Sequence, residues 1–266
     1  MAKQDPTVPL VIKPVLRGSW HGPDATRLGL HMMLSILLVS LIYVVLSLLF
    51  SFDLLALRIV TSLMIVAAAF AYLYRNGITA GQNDAAYAEI MFSRKQEGKP
   101  VSDSDLARCF HPMKGYWIAL LGVAPFLITA IVFALLAQPT TYSLGVLPQW
   151  MDGYARQSEL SDALNYYARQ EGVSAMAVLR VAVRAMVMPF INVAVKIGDP
   201  ATLWAERLSP LWVLIAPLGY GIGYGQGLKQ RIRINTAIAI GDRKKMRRSR
   251  KEHRARVNTR EPERLV

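Results

Sequence analysis

Residues 28–74 read LGLHMMLSILLVSLIYVVLSLLFSFDLLALRIVTSLMIVAAAFAYLY. Within this run only Asp53 and Arg58 are reliably charged, and His31 is the only other ionisable side chain apart from tyrosines. A single helix of these 47 residues would measure about 70 Å at ~1.5 Å per residue. A bilayer has only about 30 Å of hydrocarbon to cover it. The run must therefore fold in half, and Ser51-Phe52-Asp53 is the place to bend. Two spanning helices follow, over 28–50 and 54–74. The triplet Ala67-Ala68-Ala69 with Ala71 lets a neighbouring helix come close, and Tyr72, Tyr74 and Arg75 form an aromatic and basic boundary. Arg58 lies about 7 Å from the start of its helix. Its expected role is to reach the headgroup layer or Asp53.

The rest of the composition agrees with a membrane solvent. Hydrophobic residues make up 53% of the 266, and mean hydropathy is +0.28, with the apolar residues gathered into runs. The formal charge is +13. Residues 229–266 hold 14 of the 31 Lys and Arg but only 4 of the 18 Asp and Glu, so a nearly neutral body carries a basic tail. Cys109 is the only cysteine, which excludes an intramolecular disulfide and a cysteine metal cluster. The first apolar run is long enough to span rather than be removed as a leader.

The chain divides by these patterns. Residues 1–27 form a proline-punctuated cytoplasmic arm, expected to be mobile or loosely docked. After the hairpin of 28–74, residues 75–114 make a cytoplasmic loop. Asn76-Gly77 is expected to break the helix there, with a short helix over 84–96 and a turn at Gly98-Lys99-Pro100. Ser102 with Asp105 has the spacing of a capping box, and that helix must stop near Phe110 because His111 precedes Pro112. Cys109 and His111 suggest a nucleophile and a base, but no orienting third group accompanies them. A third span covers 115–137 with Pro125 inside it, where a kink is expected.

Residues 138–207 form an extracytoplasmic region, with an interfacial loop over 140–151 and an amphipathic helix over 158–170. Within it, 173–197 is long enough to span, yet Arg180, Arg184, Asn192 and Lys196 recur at multiples of four and make a polar stripe. An arginine at the centre of a lipid-facing span costs about 2.5–3.5 kcal/mol. Two readings result: a helix lying in the interface with its basic face to headgroups, or a re-entrant helix lining a polar path. The first is preferred, since Pro189 would break a straight helix.

A fourth span, 208–228, carries Gly219, Gly221, Gly223, Gly225 and Gly227. Glycines at four-residue spacing are a helix-packing pattern. No glycine set has the dinucleotide-binding spacing, and the potassium-filter pentapeptide is absent. In the tail 229–266, residues 243–256 place Arg243, Lys244, Lys245, Arg247, Arg248, Arg250 and Lys251 in one run, expected to contact anionic lipid. Nucleic acid is disfavoured as a partner because no aromatic residue interleaves that run.

Positive charge marks the cytoplasmic side. The arm, the 75–114 segment and the tail are all basic, which demands an even number of crossings. The sequence thus predicts an all-α, multi-pass protein of the cell membrane. It has four transmembrane helices, one interfacial or re-entrant amphipathic helix and both termini in the cytoplasm. The spans lack paired carboxylates, a metal-ligand set or a nucleophile triad, so neither enzyme chemistry nor a cofactor is expected. The leading expectation is a non-catalytic membrane subunit or scaffold that packs with itself or partner membrane proteins through its glycine-rich helix. The alternative is an oligomeric transporter or channel component for a small solute, an anionic one if Arg180 and Arg184 line its path.

Overall fold

A computed structural model describes residues 10–138, 153, 154, 160 and 175–259. Every described element is an α-helix, in the order α1 (Pro23–Leu49), α2 (Leu55–Gln96), α3 (Asp103–Arg108), α4 (Lys114–Leu136), α5 (Ala175–Met186), α6 (Met188–Ile197), α7 (Asp199–Arg207) and α8 (Ser209–Thr259). The loop over 140–151 and the helix over 158–170 read from sequence lie outside the described residues, apart from isolated positions. Among the described residues three helices, α1, α2 and α4, are long and apolar enough to cross a membrane, or up to four spans if α5 and α6 count as one bent span. The run 208–228 opens α8 and is not among them, because its glycines and tyrosines dilute its apolarity.

The chain forms two compact units. Unit 1 comprises 1–27, 73–118 and 219–266; unit 2 comprises 28–72 and 119–218. The polypeptide passes from one to the other at 27/28, 72/73, 118/119 and 218/219.

Helix α1 starts in unit 1 at Pro23, a proline at the first helical position followed by the acidic Asp24, as the orphan amides of a helix start favour, and continues into unit 2. The part of α1 within unit 2 turns Leu30, Leu34, Leu37, Leu41, Val45 and Leu48 outward. Exposed leucine in such density suits lipid rather than water. Val39 and Tyr43 pack inward on Ile65 of α2. The bend falls between Leu49 and Leu55, where the sequence placed it. Arg58 departs from the expectation of headgroup or Asp53 contact. It is buried, and its guanidinium donates to Phe52 O (2.8 Å), Ser51 Oγ (2.9 Å) and Asn192 O (3.0 Å). The fork-shaped cation thus satisfies the Phe52 carbonyl left over at the bend and ties the bend to Asn192 of α6.

Residues 175–197 form two helices bent by 104° at the Val187–Met188 junction. Pro189 opens α6, where its missing N–H costs nothing. The bend splits the expected continuous stripe, so Arg180 and Arg184 stand on one helix and Asn192 and Lys196 on the other. In α4, Pro125 sits within an unbroken helix, and Thr129 Oγ1 donates to the Pro125 carbonyl (2.8 Å).

In unit 1, α2 runs straight through Asn76-Gly77, which corrects the expected break. A Cβ at Gly77 would overlap Tyr220 O of α8, and one at Gly81 would overlap Tyr224 O. These glycines serve close helix approach, not chain reversal. Of the two expectations for the arm, its described part, from Leu10 on, is docked. Leu16 N donates to Ala88 O (3.2 Å), Gly18 N to Phe110 O (3.0 Å) and Ser19 N to Leu106 O (3.2 Å), while Val15 and Leu16 pack on the core of Ala85, Ala88 and Met91. The Ser102–Asp105 capping box is formed, and α3 ends at Arg108. The tail is helical through Thr259 as the continuation of α8.

Candidate functional site

Unit 1 carries a buried charge network built on α2. Gly77, Gly81, Asp84 and Ala88 follow one another at four, three and four residues, and so share one face of the helix. With no side chain at Gly77 and Gly81, α8 approaches closely enough to place Tyr224 against Asp84. Tyr224 Oη donates to Asp84 Oδ2 (2.6 Å). Lys114, at the start of α4, donates through Nζ to the same oxygen (2.7 Å) and to Asp24 Oδ2 (3.0 Å). The Lys114 side chain has no solvent exposure, against 15% for that of Asp84 and 22% for that of Asp24. Burial holds the Asp84 carboxyl above its ordinary value, while the Lys114 ammonium and its hydrogen bonds pull the other way.

Further along α2, Glu89 accepts from Arg231 Nη2 (3.0 Å) and Asn235 Nδ2 (2.7 Å) of α8. Val11 N donates to Thr236 Oγ1 (3.0 Å) on the next residue of that helix, so the arm ties to the same surface. Tyr87 Oη donates to Asp105 Oδ1 (2.6 Å), which with Ser102 holds that carboxyl below its usual range.

The glycines proposed for packing are placed as follows. A Cβ at Gly223 would overlap Tyr74 O, one at Gly227 would overlap Gly81, and one at Gly221 would overlap the Tyr116 ring. Gly225 has nothing within 4 Å. Gly219 is buried. Cys109 and His111 are not paired. The Cys109 thiol donates to Asp105 O (3.3 Å), and burial pushes it up to about 11, away from thiolate reactivity. His111 Nδ1 accepts from Met113 N (3.2 Å).

Unit 2 holds a second network. Glu206 of α7, its side chain 2% exposed, accepts from Arg184 Nε (2.6 Å), and Arg180 Nε stands 3.5 Å from the same carboxylate oxygen. Arg180 also reaches Gln138 O and lies over the Phe133 ring, 5.7 Å from its centroid. Asn192 donates to Ser47 O (3.2 Å), whereas Lys196 meets Asp53 at the surface (3.7 Å). Glu206, Asp84, Asp24, Glu89 and Lys114 carry these networks and were not singled out from sequence. The four-three-four spacing after Gly77 was the available signal for Asp84. Of the basic run, Lys245, Arg248, Arg250 and Lys251 are exposed on α8.

No group of three or more His, Cys, Asp or Glu side chains has metal-holding geometry among the described residues. Comparison with protein-family models, curated proteins and solved structures finds no match.

Proposed function

We propose that this protein is a non-catalytic subunit or scaffold of the cell membrane, with unit 1 on the cytoplasmic side and four crossings between the two faces. One observation carries the reading. The arm, the 73–118 segment and the tail, which charge alone assigns to one side, are joined in one unit by direct bonds such as Leu16 N to Ala88 O and Arg231 to Glu89. Chain ends on one side of a membrane require an even number of crossings, and four is the even number that the apolar runs allow.

The scaffold role follows from how the charges are spent. Lys114, Glu89, Glu206 and Arg58 close on partners within the chain, as ties and not as exposed reactive groups. The glycine-rich part of α8 is engaged with α2 and α4 of the same chain, which leaves the exposed basic segment of α8 as the surface for an acidic partner or an anionic leaflet. Because that segment is helical, its charges are held in fixed register.

The test is particle size after gentle solubilisation. The wild type should run as a complex larger than the monomer. Changing Lys245, Arg248, Arg250 and Lys251 together to Gln should release its partner without altering Tm. A monomeric wild type would count against the reading.

A second reading, a component of an oligomeric transporter or channel for a small anionic solute, draws on the 104° break between α5 and α6 beside Arg180 and Arg184. It ranks second because Arg184 already holds Glu206. Anion flux into proteoliposomes, lost in Arg184→Gln, would promote it.

A further inference from the structure

Within unit 1 the last part of α8 extends past the helix it packs on. Gly223 lies against Tyr74, Gly227 against Gly81, and Arg231 and Asn235 bond Glu89, so α8 runs alongside α2 in the same direction. Asn235 meets Glu89 seven residues before α2 ends at Gln96. With the same rise of ~1.5 Å per residue in both helices, α8 outruns α2 from about residue 242. Every side chain described between Lys245 and Glu252 is exposed. Over 243–256 the chain carries nine Lys and Arg and a single acid, Glu252.

The arrangement of these charges selects their counterpart. At about 100° per residue, Arg248 and Lys251 lie about 60° and 120° to one side of Lys245, and Arg250 about 140° to the other. Positive charge thus surrounds the helix instead of marking one face. Lys245, Arg248 and Lys251 follow one another at three residues, neighbours whose repulsion a counter-charge relieves. The nine cations fall along about 21 Å of helix, one per ~2.3 Å. Duplex nucleic acid carries one phosphate charge per ~1.7 Å. A flat leaflet would engage one face only, and it is out of reach. Gly223 is level with Tyr74, in the aromatic boundary of the hydrocarbon run, and Lys245 is 22 residues further on, about 33 Å along the axis. A tilt of about 40° still leaves about 25 Å, against a Debye length of about 8 Å. A protein partner ordinarily buries an apolar centre, and Met246 is the only large apolar residue of 243–256. Without Phe, Tyr or Trp in the segment, single-stranded bases have no ring to stack on, whereas duplex phosphates need only charge.

We propose that the 243–256 segment of α8 binds double-stranded DNA through its phosphates, without regard to base sequence. A helix is about 10–12 Å across and the major groove of B-form DNA about 12 Å wide, so the phosphates of both rims meet a helix charged all round. The deep, narrow major groove of duplex RNA does not admit it. The inference deepens the scaffold reading and rests on it for the cytoplasmic placement of the basic segment.

Fluorescence anisotropy of the full chain in neutral detergent, titrated into a short labelled DNA duplex, tests it. Two duplexes of unrelated sequence should bind equally. Each phosphate contact contributes about −0.9 to the slope of log K against log salt, so the four exposed cations Lys245, Arg248, Arg250 and Lys251 predict a slope of about −3.6 or steeper. Changing those four to Gln should flatten the slope by about 3.6 and weaken binding about tenfold or more, with Tm unchanged. Binding should persist in phosphatidylglycerol nanodiscs; its loss there would mean that the leaflet takes the segment, and would overturn the proposal. So would no binding at low salt, a quadruple variant that binds as the wild type does, or tighter binding of duplex RNA or single-stranded DNA. Displacement of the DNA by polyglutamate at matched charge would also overturn it, in favour of an acidic protein. Particle size, read on the same samples, judges the scaffold reading separately. A monomer that binds DNA keeps this proposal and removes the scaffold, and a larger complex that ignores DNA does the reverse.

Discussion

Lys114 Nζ stands 2.7 Å from Asp84 Oδ2 in a position where the lysine side chain is wholly enclosed. Removing one partner of such a pair leaves a charge without compensation, which costs about 3–5 kcal/mol. Lys114→Met should therefore lower the unfolding free energy by about that amount. Lys114→Met with Asp84→Asn should recover a large part of it, because the second change removes the stranded carboxylate. Thermal unfolding of the two variants in detergent, followed by circular dichroism, measures the difference. Equal losses would mean that the pair is not coupled.

The glycines of α2 and α8 divide into two kinds, and substitution should separate them. At Gly223 a methyl group would meet Tyr74 O, and at Gly81 it would meet Tyr224 O; both contacts are with backbone that cannot step aside. Gly223→Ala and Gly81→Ala should each cost about 1–3 kcal/mol or more. Gly225 meets nothing within 4 Å. Gly225→Ala should be neutral or stabilise by up to about 1 kcal/mol, through the better helix propensity of alanine. The order of Tm values in this alanine series checks the α2–α8 crossing.

His111 makes unit 1 sensitive to mild acid. Burial lowers its affinity for a proton below the ordinary 6.5, and the Arg17 guanidinium adds to the effect. The unfolded chain then binds a proton that the folded chain refuses. Stability from this residue is complete above about pH 6.5 and is lost as pH falls from there through the lowered folded value. Tm measured between pH 5 and 8 should decline on the acid side, and the decline should be shallower in His111→Gln.

Glu206 holds two arginines with a nearly enclosed carboxylate. Arg180 and Arg184 are partly exposed and can recover some hydration, so Glu206→Gln should cost less than the Lys114 change, roughly 1–3 kcal/mol. Arg184→Gln should be the milder of the two, since Arg180 remains beside the carboxylate. Chemical unfolding of unit 2 monitored by tryptophan fluorescence reads both.

The sequence stated the hairpin plainly because a hydrocarbon run of twice the bilayer thickness has few ways to fold. The capping box at Ser102 and Asp105 was equally local, and it formed. What escaped was set by contacts distant in sequence. Gly77 looked like a terminator because glycine disfavours isolated helix, but α8 packed against it reverses that preference. With a break at Gly77 and a helix that starts only at Asp84, Gly77 and Gly81 do not share a helix face with Asp84 and Ala88, and the close approach that buries Asp84 has no signal. The stripe from Arg180 to Lys196 was legible as a spacing, yet the bend at Val187 gave its two halves different partners. Glu206 offered no periodic signal, since an acid near the end of a short amphipathic helix usually faces water.

Side-specific labelling of single cysteines tests the central claim, that the three basic segments joined in unit 1 face one side of a membrane crossed four times. In a Cys109→Ser background, cysteines replacing Lys99 and Arg250 should react with a membrane-impermeant maleimide only after the cytoplasmic face is opened, whereas one replacing Gly145 should react in intact cells. Lys99 and Arg250 reacting from opposite faces would contradict the account.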